Sequence, residues 1–202
     1  MSLYERNCIL RFLRHISDAR DMLFLLFIFY LFPISVAISE LQKCDEVSYR
    51  EHCFGSAIFQ SGQKYRGDLK DGYQHGHGTA IDITGDTYTG EWKDGKMHGK
   101  GEANYSSGDT YIGSFKEDKA HGYGTYTAKN GDTYYGQWRN GKMNGHGVLK
   151  FGVASKAAGE KYIGGWKDNK RQGQGTAVLP DGRSLSGIWS NNKLIETFNN
   201  SD

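Results

Sequence analysis

From Tyr65 onward the chain repeats itself, and this restricts the fold more than any other property of the sequence. A Tyr-x-Gly-x-aromatic motif starts at Tyr65, Tyr88, Tyr111, Tyr134 and Tyr162, with Leu69 standing once where the others have an aromatic ring. Starts are 23 residues apart except for one gap of 28. Each copy then carries a Gly-x-Gly, at Gly76 and Gly78, Gly99 and Gly101, Gly122 and Gly124, Gly145 and Gly147, and Gly173 and Gly175. A degraded copy, Leu185-x-Gly187-x-Trp189, follows. Upstream, Gly55 precedes Tyr65 by the same ten residues that separate Gly78 from Tyr88, so His52-Cys53-Phe54-Gly55 reads as the second half of a partial first copy. A unit this small cannot bury a hydrophobic face alone and must stack on its neighbours, with atypical copies closing the ends.

Within a copy the side chains alternate. Tyr88, Gly90 and Trp92 fall on one face and Thr89, Glu91 and Lys93 on the other, the period of two of a strand with one buried side. After this strand comes a position filled by Gly72, Gly95, Asp118, Gly141, Asn169 and Asn192 in successive copies. Those residue types best tolerate positive φ, which marks a turn. A second strand runs on from the Gly-x-Gly and ends at turns such as Ser107-Gly108-Asp109. The expectation is a β-hairpin per copy, with strands of about five or six residues and roughly eleven strands at about 4.8 Å spacing. Glycines at Gly90 and Gly101 then leave room for large rings lying flat across the sheet.

Composition agrees. Glycine at 28 of 202 residues is too frequent for a helical bundle, and with only 2 prolines and no three-residue period the chain is neither collagenous nor proline-rich. Lys and Arg total 25 against 23 Asp and Glu, so no strong field recruits nucleic acid.

All 28 glycines lie after residue 40. Before it, Arg6, Arg11, Arg14 and Arg20 precede an uncharged run from Met22 to Ser39 whose first half is almost wholly apolar. Residues 1–40 are therefore read as a signal peptide or a signal anchor, an apolar helix: Ser35-Val36-Ala37 offers the small residues of a cleavage site, whereas the long basic leader favours retention. Either way the arginines stay on the cytoplasmic face and the repeats lie on the extracytoplasmic side, membrane-anchored or secreted. Cys44 and Cys53 open the exported part and are candidates for one short disulfide, with two thiols as the alternative. The organisation is a signal or anchor at 1–40, a linker and N-terminal half-repeat at 41–64, five repeats at 65–184, and a C-terminal half-repeat with a polar tail at 185–202.

The fullest copies, Tyr88 to Gly101 and Tyr134 to Gly147, read Tyr-x-Gly-x-Trp-x-x-Gly-Lys-x-x-Gly-x-Gly. This pattern resembles the MORN (membrane occupation and recognition nexus) repeat over about two-thirds of the chain. The resemblance implies an elongated all-β antiparallel meander of hairpins, whose members mostly serve as scaffolds for proteins or membranes, sometimes joined to a catalytic domain of which this sequence shows none. Departures are Leu69 and Phe115 for tryptophan, Leu185 for tyrosine, Gln172 for histidine, and an insertion near 152–158.

The aromatic core predicted from the repeat comprises Tyr65, Tyr88, Trp92, Tyr111, Phe115, Tyr134, Trp138, Tyr162, Trp166 and Trp189. His75, His98 and His121 form a column one repeat apart, about 10 Å, too far to share a zinc ligated at about 2.0 Å, and read as turn-packing residues. Gly95-Lys96 and Gly141-Lys142 are followed by Met97 and Met143 instead of the hydroxyl a phosphate loop needs, and lie between strands. No nucleophile, base and orienting group recur, so no enzyme, metal or cofactor is expected.

The leading function is a non-catalytic scaffold, exported or membrane-anchored, for an unidentified protein partner, with membrane association through residues 22–39. The alternatives are a cell-wall ligand module with exposed aromatic rings and a lipid-head-group binder using turn lysines Lys96, Lys119, Lys142 and Lys170, whose field is diluted by Asp71, Asp94, Glu117 and Asp168. Oligomeric state is not set by the sequence.

Overall fold

The computed structural model describes residues 53–198; residues 1–52, with Cys44 and the predicted leader helix, lie outside them, as do residues 199–202. Thirteen strands follow one another: β1 (Cys53–Ile58), β2 (Lys64–Lys70), β3 (Tyr73–Ile81), β4 (Thr87–Lys93), β5 (Lys96–Asn104), β6 (Thr110–Lys116), β7 (Lys119–Thr127), β8 (Thr133–Arg139), β9 (Lys142–Lys150), β10 (Lys161–Lys167), β11 (Lys170–Val178), β12 (Ser184–Ser190) and β13 (Lys193–Thr197). They form a single antiparallel sheet in sequence order, β1 to β13. This is the expected all-β meander with two strands more than the sequence arithmetic gave, because the degraded C-terminal copy makes a hairpin, β12–β13, and the partial first copy supplies β1.

Complete second strands have nine residues and first strands seven, longer than expected, for two reasons. The hairpin turns contain only two residues: Asp71-Gly72, Asp94-Gly95, Glu117-Asp118, Asn140-Gly141, Asp168-Asn169 and Asn191-Asn192, every one at positive φ. Two consecutive positive φ values make a type I′ turn, whose twist matches that of the strands. Where the second residue is not glycine its side chain helps hold the turn: Asp118, Asn169 and Asn192 Oδ1 accept the backbone N–H of Met97, Met143 and Arg171 in the preceding repeat, each at 2.8 Å. The second reason is a bulge. Pairing slips between Gly67 and Leu69 and at the equivalent place in each later hairpin. The first glycine of each Gly-x-Gly sits in that bulge at positive φ, and in three repeats a side chain of the facing strand caps the next N–H. Asp68 Oδ2 accepts from His77, Glu91 Oε1 from Lys100, and Gln137 Oε1 from His146.

The second glycine has a different role. Pairing links Gly55, Gly67, Gly78, Gly90, Gly101, Gly113, Gly124, Gly136, Gly147, Gly164, Gly175 and Gly187 into one row across β1 to β12. On one face of this row lie the motif tyrosines: a Cβ on Gly78, Gly101, Gly124, Gly147 or Gly175 would collide with the ring of Tyr65, Tyr88, Tyr111, Tyr134 or Tyr162. Each tyrosine hydroxyl reaches over the glycine to donate to a backbone carbonyl three residues on, as Tyr134 does to Gln137 at 3.0 Å. The glycine carbonyl in turn accepts the indole N–H of the next repeat: Trp92 on Gly78, Trp138 on Gly124, Trp166 on Gly147 and Trp189 on Gly175.

Rings of successive repeats meet edge to face at 4.9–5.4 Å from Tyr65 to Trp189, the geometry aromatic quadrupoles favour. A sheet with no second layer thereby buries its own rings: all ten predicted core positions are buried except Trp138, which is half-buried. Trp138 differs because the strand beside it offers Ala120 where the strands beside Trp92, Trp166 and Trp189 offer Gln74, Met143 and Arg171. The terminal Trp189 is as well buried as Trp166, under Leu194 and Arg171.

Candidate functional site

Because the rings fill one face, the opposite, outer face carries the residues between them. Pairing aligns these in rows along the ribbon. One row reads Ser56, Arg66, Thr79, Thr89, Glu102, Ile112, Thr125, Tyr135, Val148, Ile163, Thr176 and Ser186 from β1 to β12. Beside it runs a second, with Asp68, His77, Glu91 and Lys100 at one end and Ser114, Tyr123, Gln137, His146, Gly165, Gln174 and Ile188 over β6 to β12. The two rows divide into a charged part over β1–β5 and a part over β6–β12 without a single Asp, Glu, Lys or Arg. In a chain that is 24% charged, fourteen consecutive outward positions without charge are a distinct surface.

That surface is apolar at its centre. Ile112, Tyr123, Tyr135 and Ile163 are 55%, 56%, 59% and 42% exposed. A shallow cleft of about 520 Å³ runs between the rows from β4 to β8, floored by Gly90, Gly101, Gly113 and Gly124 and walled by Thr89, Glu102, Ile112, Thr125 and Tyr135 on one side and Lys100 and Tyr123 on the other. The sequence reading passed over these residues because it followed the motif face; the available sign was apolar or aromatic residues at positions directly after the motif tyrosine, Ile112, Tyr135 and Ile163, where alternation calls for polar ones.

The other sequence candidates fall elsewhere. At the hairpin tips, cations face one another across the strands: Lys93 and Lys96, Lys116 and Lys119, Arg139 and Lys142, Lys167 and Lys170. Two of the four candidate lysines pair with the turn acid of the next repeat, Lys96 with Glu117 and Lys142 with Asp168 at 3.6 Å. Their hydrogen bond holds Lys96 above and Glu117 below its ordinary pKa. Lys119 and Lys170 have no ion pair among the described residues. In the histidine column, His75 Nδ1 accepts the Asp94 N–H at 3.5 Å, while His98 and His121 Nδ1 are buried with no hydrogen-bond partner among the described residues. Among the described residues no three His, Cys, Asp or Glu are grouped to hold a metal.

The opposite turns are tied by acids. Asp86 Oδ1 accepts from Ser106 N–H and Oγ–H, Asp109 Oδ1 from Lys129 N–H, and Asp132 Oδ1 from Gly152 N–H, each linking one repeat to the next. These bonds hold Asp86 and Asp109 below the usual carboxylate range, and the Thr84 hydroxyl does the same for Asp82. Burial raises the phenols of Tyr65, Tyr88, Tyr111, Tyr134 and Tyr162, and burial with the Asp109 hydrogen bond pushes Tyr126 up to about 12.

The sequence profile of the MORN repeat matches residues 65–87, 88–110, 111–133, 134–152 and 162–182, more than half of the chain. The chain belongs to the MORN repeat family. No curated protein matches it. Among solved structures, similarity extends to the SAS-4 (dCPAP) TCP domain of Drosophila melanogaster, solved with a proline-rich motif of Ana2, at 11% identity over 67% of this chain and 90% of that one with a TM-score of 0.33. It extends also to the TCP10 domain of Danio rerio CPAP, solved with a peptide of STIL, at 12% identity over 66% and 82% with a TM-score of 0.17. At these identities and TM-scores nothing about fold or ligands passes from those proteins to this MORN chain.

Proposed function

We propose that this MORN protein is a non-catalytic scaffold, exported or membrane-anchored through residues 1–40, that holds a partner protein on its outer face. The observation that carries the reading is the pair of central rows of that face over β6–β12, free of charge between flanking lysines and arginines, with Ile112, Tyr123, Tyr135 and Ile163 exposed. Interface centres are depleted of charge and enriched in aromatic residues, and a contiguous apolar patch on a polar surface marks a binding site. The basic leader and uncharged run from Met22 to Ser39 support export. Less supports a cell-wall module, since the repeating rings are buried or half-buried against one another, or a lipid-head-group module, since Lys96 and Lys142 already have acidic partners.

A photo-crosslinking amino acid at position 135, with position 79 as the control, tests the scaffold in the cell envelope. One protein captured from position 135 and not from 79 is expected; equal capture from both, or none, refutes the reading. A reporter fused after Asp202 tests export separately, and activity in the cytoplasm refutes that part.

A further inference from the structure

We propose that the outer face between β6 and β10 binds an uncharged polyproline-II segment, every third residue of which meets one repeat. This rests on the reading of that face as the partner-binding surface and names the partner's chemistry.

Geometry excludes the other common peptide conformations. The cleft runs along the ribbon, across the strands from β4 to β8, the outer row continuing beyond it to Ile163 in β10, and every strand from β5 to β10 has a paired neighbour on both sides. The backbone donors and acceptors of its floor are thus committed to the sheet, and a peptide in the cleft finds none for its own main chain. A β-strand laid there would leave its N–H groups unpaired. The two walls are rows two residues apart along each strand, about 6.7 Å, so a helix about 10–12 Å across would rest on their rims, away from the glycine floor. A polyproline-II chain needs no backbone partner, and its prolines have no N–H.

Charge and period point to the same occupant. Along the wall, large exposed residues alternate with smaller, less exposed ones: Ile112, then Thr125, Tyr135, Val148 and Ile163. Large residues recur every second strand, about 9.6 Å. Polyproline II turns once in three residues of about 3.1 Å, about 9.3 Å. Successive turns therefore meet Ile112, Tyr135 and Ile163 with a mismatch of well under 1 Å across the three. Tyr123, on the opposite wall, and Tyr135 supply the aromatic sides that prolines pack against, and no charged residue of the two central rows intervenes. Lys100 and Glu102 lie at the β5 end.

The test titrates labelled nonaproline, blocked at both termini, into the full chain held in neutral detergent, read by fluorescence anisotropy. Triproline, a Gly-Ser peptide of nine residues and a neutral linear oligosaccharide are the comparisons. Expected are saturable nonaproline binding unaffected by raising the salt, at least about tenfold tighter than Gly-Ser, and progressive weakening from nine to three prolines. Tyr135→Ala weakens it about tenfold, whereas Ser56→Ala, at the far end of the same row, leaves it unchanged. The buried tryptophans, on the opposite face, report through near-ultraviolet circular dichroism that each variant is folded. Absent nonaproline binding, equal binding of Gly-Ser, preference for the oligosaccharide, or insensitivity to Tyr135→Ala in a folded variant overturns the inference. A protein captured from position 135 with no polyproline binding overturns it while leaving the scaffold standing; loss of both overturns both.

Discussion

Replacing Gly147 by alanine tests the origin of the glycine row. Gly147 lies outside the left-handed region, so the substitution carries none of the strain of a positive φ. Its new Cβ would lie 2.5 Å from Tyr134 Cε2 and Cζ and closer still to Oη, so the ring must lift by about 1 Å to restore ordinary contact. Tyr134 is only 1% exposed, wedged between Trp138 at 5.2 Å and Trp166 at 5.4 Å, and its hydroxyl donates to Gln137 O at 3.0 Å. Overpacking of this kind costs about 1–3 kcal/mol, and the lost hydrogen bond about 1 kcal/mol more. We expect about 2–4 kcal/mol in urea unfolding followed by circular dichroism. Gly141→Ala is the control: its φ is 78° with nothing within 4 Å, so only the left-handed conformation is penalised, by about 1–2 kcal/mol. Combining Gly147→Ala with Tyr134→Phe, which removes the colliding hydroxyl, should be less damaging than the sum by about 1 kcal/mol. Gly147→Ala no worse than Gly141→Ala, or a strictly additive double mutant, would refute the claim that the row exists to accommodate rings.

Ala120→Met should stabilise the chain by about 1 kcal/mol by covering the open side of Trp138, with a blue shift in tryptophan emission; a lower thermal midpoint would contradict this account of its exposure. Below the ordinary carboxylate value of 3.8 the fold should weaken, because Asp82, Asp86 and Asp109 hold fewer protons folded than unfolded, so their contribution is complete above that value and lost as pH falls through their lower folded values. Asp109→Ala should flatten the acid side of a midpoint-against-pH curve. At alkaline pH the raised phenols reverse the sign: their contribution is complete below 10.0 and lost as pH rises toward their folded values, about 12 for Tyr126, so phenolate absorbance of the buried tyrosines should appear together with unfolding. Mass spectrometry of exported protein is expected to find Cys44 joined to Cys53; two alkylatable thiols would exclude the bridge.

The sequence by itself determined whatever depends on neighbours one repeat away. Alternation set the hairpins, residue types tolerant of positive φ marked the second turn position at Gly72, Asp118 or Asn169 correctly, and the ring positions followed from a motif recurring in register. Nearest-neighbour stacking makes this possible, since each repeat meets only copies of its own environment. Three things waited for tertiary structure. The two glycines of Gly-x-Gly look equivalent in sequence, yet one sits in a bulge and the other lies under a tyrosine, a distinction made by the slip in pairing with the facing strand. Trp138 and Trp189 occupy the same motif position, yet their exposure depends on Ala120 and Arg171 in the strand alongside. The outer face was hardest to see, because Ile112, Tyr123, Tyr135 and Ile163 are spread over three copies and their positions are filled differently in the other copies. Only pairing across five strands places them side by side, and adjacency between strands, which no single repeat encodes, is what turns scattered substitutions into a surface.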